Sequence, residues 1–322
     1  METAVVPYPG LNKAARCWLD TRMGDHIRWN EPMARHTSFR VGGPVEAFFT
    51  PPSAVHLADF VRWAAKAGIR YRVIGDGTNL LASDSGVEGV VINLRHFRHI
   101  EEVAEDAASS TVTLRVMAGV RLKVFCQFAA RNGLKGMAFA LGIPGTVGGG
   151  MMMNAGTQEG SMAGVLVSAT VMDSAGRIRE IHGKDFRFGY RSFSWESSAA
   201  GEKAILLAGA FQLQKGGRDA RMLRKQARDR LCDRRRKQPI GIPSAGCFFR
   251  NPPEGPGAGA LIDRAGLKGM RIGGAEVSDK HANFIVNRKG ATASDILALA
   301  AAVRDAVRRK FGVDLVPEVH II

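Results

Sequence analysis

The sequence predicts an α+β protein made of three consecutive units behind an N-terminal extension. Three observations carry this reading. Residues 38–94 set one amphipathic helix among short strands. Residues 111–214 are rich in strand patterns, with one helix among them. The remainder opens on a basic helix and closes on a long helix followed by a strand. The expected bounds are 1–34 for the extension, then 35–96, 97–215 and 216–322. A chain of 322 residues exceeds one usual core, which agrees with several units.

Residues 1–35 read as irregular or helical and resist placement. "SFRVGGPVEAFFTP" (38–51) reads as two short strands about a Gly42-Gly43 turn. Ser53 is placed to cap a helix over 54–67, with Leu57, Phe60, Val61 and Ala64 on one face and Gly68 past its end. "RYRVIG" (70–75) is a strand entering a glycine loop, and "GVVINL" (89–94) is another strand. "TVTLRVMA" (111–118) alternates as a strand should, and 121–132 aligns Leu122, Phe125 and Ala129 on a helix face. Strands follow at 165–173, 177–182 and 204–214, the first two joined as a hairpin by the DSAG turn at 173–176. The third unit takes helices at 218–237, near 257–266 and at 293–310, with strands at 283–287 and near 315–321.

Charge and cysteines narrow the class. Forty-five Lys and Arg against 30 Asp and Glu leave a net +15, which suits anionic ligands of several kinds. Ten of the 20 residues at 218–237 are basic, but no aromatics interleave with them as single-strand stacking requires. That stretch reads as a solvated helix face, and no nucleic-acid partner is expected. Cys17, Cys126, Cys232 and Cys247 form no CxxC pair, so no metal site is expected. The first 20 residues lack the apolar core of a signal peptide, and no run of 18 apolar residues exists. A cytoplasmic protein with reduced thiols and no membrane partner is the expectation.

Two glycine-rich stretches stand out: "VIGDGTNLLASDSG" (73–86) and "LGIPGTVGGGMMMNAG" (141–156). Neither is a Walker loop nor a GxGxxG opening a βαβ helix. Each is compatible with a tight turn. Together, in adjacent units, they could close on one diphosphate from two sides, because glycine lets backbone N–H groups approach an anion.

Seven stretches in order, "HTSFRVGGP", "VIGDGTNLL", "GIPGTVGGGMMMNAG", "FGYRSFSW", "PSAGCFFRNP", "GLKGMRIGGAEVSDKHANFIVN" and "VPEVHI", span residues 35–322. In them the chain resembles the UDP-N-acetylenolpyruvoylglucosamine reductase family, the UDP-N-acetylmuramate dehydrogenases or MurB, in its shorter second type. The resemblance implies a two-subdomain FAD-binding fold of the vanillyl-alcohol oxidase type plus a C-terminal substrate domain. It implies that Gly75, Asp76, Gly77, Thr78, Asn79 and Leu80 contact FAD. It implies the same of Gly142, Ile143, Pro144, Gly145, Thr146, Gly148, Gly149, Asn154, Ala155 and Gly156. NADPH would be the co-substrate, UDP-N-acetylglucosamine enolpyruvate the substrate, and a monomer the working form, in peptidoglycan precursor synthesis.

The implied chemistry reduces a vinyl ether that bears a carboxylate. NADPH reduces FAD, hydride passes from the flavin to the terminal carbon, and a proton must reach the α-carbon. Arg191 in "FGYRSFSW" would clamp the carboxylate with a permanently charged fork. Glu318 in "VPEVHI" would hydrogen-bond the developing enolate in protonated form. Cys247 in "PSAGCFFRNP" stands where the family commonly has serine, and a thiol is a far stronger acid than an alcohol. Without the resemblance these would read as a surface arginine, an edge-strand glutamate and a small buried side chain. Tyr190, Arg250, Asn251, Lys280 and His281 would line the substrate cavity. Another flavoenzyme of the same fold would share the glycine loops and lack the trio of Arg191, Cys247 and Glu318.

Overall fold

The computed structural model describes residues 10–195, 204–216 and 220–322. The first sheet runs in the order Ile27–Pro32, Pro44–Phe49, Val87–Asn93, Tyr71–Ile74. Its first pair is antiparallel and the rest are parallel. The helix Ala54–Ala67 packs on it through Leu57, Phe60, Val61 and Ala64. It ends at Gly68, whose φ of 65° is open to glycine at little cost.

Two features of this unit depart from the sequence reading. Residues 38–41 form a turn and no strand. Phe39 and Val41 leave the first sheet and enter the core of the third unit. The glycine pair behind them allows close approach, since a Cβ on Gly43 would collide with the Asp84 carbonyl oxygen. The partner of Pro44–Phe49 is Ile27–Pro32, within the stretch expected as an extension. The helix Lys13–Met23 precedes that strand, capped by Asn12, and buries Ala15, Leu19 and Met23 in the same core. Trp18 stacks on Trp63 at 4.1 Å. Residues 11–32 are thus part of the first layer.

The second sheet is antiparallel throughout, in the order Ile178–His182, Leu166–Met172, Ile205–Lys215, Thr111–Met117, Ile100–Asp106. The helix Leu122–Arg131 buries Leu122, Phe125, Cys126 and Ala129 against it. The short helix Val147–Met152 grows from the second glycine loop. The hairpin Phe186–Gly189 with Ser192–Trp195 tucks Phe186, Phe193 and Trp195 into this core.

In the third unit the helices Ala258–Arg264 and Ala293–Phe311 cover a three-stranded sheet, Arg271–Ile272, Ala275–Val277 and Ile285–Asn287. Thr292 and Asp295 form a capping box on the long helix. The basic helix is described as Ala220–Lys237, so residues 218 and 219 of its expected span lie outside the described residues. The closing strand is only His320–Ile321, and it pairs in parallel with Leu80–Leu81 of the first unit. Asp84 also crosses, accepting hydrogen bonds from Ala293 N (2.7 Å) and Ser294 N (2.9 Å). The C-terminus is therefore stitched to the first glycine loop. Among the described residues no helix is long and apolar enough to cross a membrane.

Candidate active site

The strand Tyr71–Ile74 feeds the first glycine loop into a cleft of about 1310 Å³. Gly77 has φ +62°, and a Cβ there would collide with the His36 carbonyl oxygen. The second loop meets the first directly. A Cβ on Gly75 would press on Thr146 Oγ1, and one on Gly145 (φ +112°) would lie 2.9 Å from Thr78 Oγ1. Thr78 Oγ1 donates to the Pro144 carbonyl at 3.4 Å. Seven arginines and two carboxylates line the cleft, a balance that selects an anionic ligand. Asp76, one of the two acids, pairs with Arg121 at 3.3 Å.

The other acid is Glu318, 8% exposed. Three segments converge there. Glu318 N donates to the Phe248 carbonyl at 2.8 Å, which sets the C-terminal segment beside Cys247. Asn283 holds Phe249 at both ends, accepting its N–H at 2.9 Å and donating to its carbonyl at 2.8 Å. Asn79 Nδ2 donates to the Glu318 carbonyl at 3.1 Å and ties this wall to the first glycine loop.

From the second unit, the tip of the 186–195 hairpin delivers Tyr190 and Arg191. Arg191 has φ +56°, an uncommon conformation for a residue with a Cβ. Its Nε lies 2.6 Å from Glu318 Oε1, off the N–H axis, so the ion contact leaves that N–H without an aligned acceptor. Tyr190 OH donates to Glu318 Oε2 at 3.3 Å. Burial first, then the Glu318 charge, pushes the Cys247 thiol up to about 11, while Arg191, Arg234 and the Asn283 side chain pull it down. The thiol therefore carries its proton at neutral pH.

A family model described as UDP-N-acetylenolpyruvoylglucosamine reductase, C-terminal domain, matches residues 238–322. A second, described as FAD binding domain, matches 45–182. The UDP-N-acetylenolpyruvoylglucosamine reductase of Desulfosudis oleivorans is 42% identical over 312 residues, covering 97% of this chain and 99% of that protein. This chain belongs to the UDP-N-acetylenolpyruvoylglucosamine reductase family. The same-named protein of Heliobacterium modesticaldum is 42% identical over 91% of the chain and 89% of its own length. The crystal structure of the reductase MurB from Thermus caldophilus superposes with a TM-score of 0.73 at 33% identity, covering 90% of this chain and 97% of that one. The chain thus carries the FAD-binding α+β fold of these reductases, and FAD is its cofactor.

Membership in the reductase family does not by itself place each residue. Gly75 to Leu80, Ile143 to Thr146, Gly148, Gly149, Ala155 and Gly156 line the cleft with Arg191, Cys247 and Glu318. Gly142 (φ +79°) lies beneath the Arg234 and Leu231 side chains. Asn154 is occupied elsewhere: its Nδ2 donates to the Gly189 carbonyl at 3.2 Å and its Oδ1 accepts from Ala163 N at 3.1 Å. It braces the Tyr190-Arg191 hairpin.

All five expected cavity residues lie outside this lining, although Tyr190 reaches it through its hydroxyl on Glu318. Arg250 is exposed, and Asn251 Oδ1 accepts the Ala258 N–H at 3.0 Å. Lys280 Nζ donates to the Arg235 carbonyl at 3.3 Å, and His281 packs on Phe284. Sequence reasoning missed His36, Asn283 and Arg234. The first two lie inside quoted motifs. Arg234 was hidden in a helix read as solvated.

Proposed function

We propose that this protein reduces the enolpyruvyl group of UDP-N-acetylglucosamine enolpyruvate to the lactyl ether of UDP-N-acetylmuramate, with NADPH as reductant, in peptidoglycan precursor synthesis. The observation that carries the reading is the meeting of Cys247, Arg191 and Glu318 from three separate segments at one wall of a cationic cleft. The names of the relatives and the conjunction of both family models support it.

Held in the glycine cradle, FAD would supply the hydride chemistry that links the nicotinamide to the substrate. The glycine cradle fits its diphosphate, since side chains at Gly75, Gly77 or Gly145 would strike the facing loop or neighbouring backbone. The chain's own residues do the rest. Arg191 takes the substrate carboxylate, sharing its guanidinium with Glu318, so the charge spreading into that carboxylate meets a fixed cation. Glu318 contacts Arg191 and from there hydrogen-bonds the developing enolate. Cys247 keeps its S–H at neutral pH and gives the proton to the α-carbon. A thiol pushed up to about 11 keeps its proton through neutral pH and becomes ineffective as an acid only in strongly alkaline solution.

Purified protein is expected to be yellow, to bleach with NADPH and to recover colour on adding UDP-N-acetylglucosamine enolpyruvate. Bleaching by simple alcohols with recovery in oxygen, and no recovery with the enolpyruvyl substrate, would point instead to another flavoenzyme of this fold.

A further inference from the structure

Proton transfer from a neutral thiol leaves a thiolate, and a half-buried anion needs a counter-ion. The charged groups that bear on Cys247 among the described residues come from three elements. They are Arg191 on the hairpin, Glu318 on the C-terminal segment and Arg234 on the basic helix, while Asn283 offers a neutral amide. Arg191 and Glu318 are already in contact with each other at 2.6 Å. Arg234 is different. It is half-buried, it lines the same cleft as Cys247, and neither carboxylate of the cleft pairs with it.

Its placement is built. Leu231 and Arg234, one helical turn apart, both lie over Gly142, where a Cβ would come 2.9 Å from Arg234 Cδ and 3.1 Å from a Leu231 methyl. Gln238 N donates to the Arg234 carbonyl at 2.8 Å, and Lys280 Nζ donates to the Arg235 carbonyl at 3.3 Å. The end of this helix is thereby docked, with the Arg234 cation in the cleft.

We propose that Arg234 is a positioning residue whose guanidinium is the counter-ion of the Cys247 thiolate formed when the proton passes to the substrate. The proposal rests on Cys247 being the proton donor. In that step the S–H bond breaks, a C–H bond forms at the α-carbon, and the electron pair stays on sulfur. Solvent returns the proton before the next cycle. Arg234 stabilises the sulfur anion, so it makes the thiol a better acid without touching the reacting carbon.

The test is the alkylation of Cys247 by iodoacetamide in the FAD-loaded protein. It is followed by mass spectrometry on the peptide that carries Cys247, because Cys17 and Cys232 are also exposed. The rate follows the thiolate fraction. At a fixed pH below the thiol midpoint, Arg234→Gln should slow alkylation about tenfold, the effect of about one unit in thiol acidity. Arg234→Lys should restore most of the rate. The alkaline limb of kcat should move to higher pH in Arg234→Gln. Arg234→Met, which keeps the aliphatic stem over Gly142, serves as a second neutral variant if the glutamine form does not fold.

Equal alkylation rates in wild type and the neutral variants would overturn the proposal. So would loss of flavin with an unchanged Cys247 rate, which would assign Arg234 to the cofactor. An active Cys247→Ala variant would instead remove the donor reading and leave the thiol measurement standing.

Discussion

Two buried glutamates of the third unit show how the same side chain serves structure in one place and chemistry in another. Glu276, on the strand Ala275–Val277, is 0% exposed. Each of its oxygens accepts an aligned guanidinium N–H, from Arg271 at 2.6 Å and from Arg288 at 2.9 Å. Glu318 is 8% exposed and faces the cleft. Its arginine contact is off-axis, its second oxygen has a tyrosine hydroxyl at 3.3 Å, and the arginine sits on a left-handed backbone. A saturated carboxylate staples its surroundings. An incompletely satisfied one, held by an arginine on a strained backbone, keeps capacity for a ligand.

Substituting each glutamate should separate these roles. Glu318→Gln is expected to lower kcat about a thousandfold, the scale of losing one preorganised charge-stabilising group, with little change in Tm. Steady-state NADPH oxidation checks this, and near-normal turnover would reduce Glu318 to a second Glu276. Asn154→Ala should lower kcat about tenfold by loosening the hairpin that presents Arg191, while flavin absorbance per protein stays constant. Loss of flavin in that variant would return Asn154 to the cofactor contacts expected from its sequence.

Glu276→Gln should leave kcat unchanged and cost about 2 kcal/mol in urea unfolding. Burial alone would push this carboxyl up, but Arg288 and Arg271 hold it below its ordinary 4.5. A depressed folded-state value means the stabilisation is complete above about pH 5 and is lost as pH falls through the folded value. Wild type should therefore lose stability on acidification through that range more steeply than Glu276→Gln. Parallel curves would break the structural reading. Tyr190→Phe removes only a long hydrogen bond and should slow turnover about threefold.

Much of the framework was legible because its signals are local. The helix 54–67 carries both an apolar face and a terminal glycine, and the long C-terminal helix has its own cap. The parts that escaped depend on distant partners. Phe39 and Val41 alternate like strand residues, yet their apolar faces are claimed by another unit. "IEEVAED" (100–106) pairs at a sheet edge with six of its seven side chains exposed, so no apolar alternation marks it. Ile27–Pro32 becomes a strand through its register with Pro44–Phe49. At the site, Arg191, Cys247 and Glu318 were found through motif resemblance and then proved to share one wall. Arg234 was not found, because a basic helix gives no hint of which of its cations turns inward.

The oxidative half-reaction tests Cys247 as proton donor most directly. NADPH-reduced protein is mixed rapidly with UDP-N-acetylglucosamine enolpyruvate, and the return of flavin absorbance is timed in wild type and in Cys247→Ala. Fast recovery in wild type and a rate at least about a hundredfold slower in the alanine variant, with equal flavin content, is the expected result. Recovery at the wild-type rate in Cys247→Ala, or a protein that takes up no flavin, would contradict it.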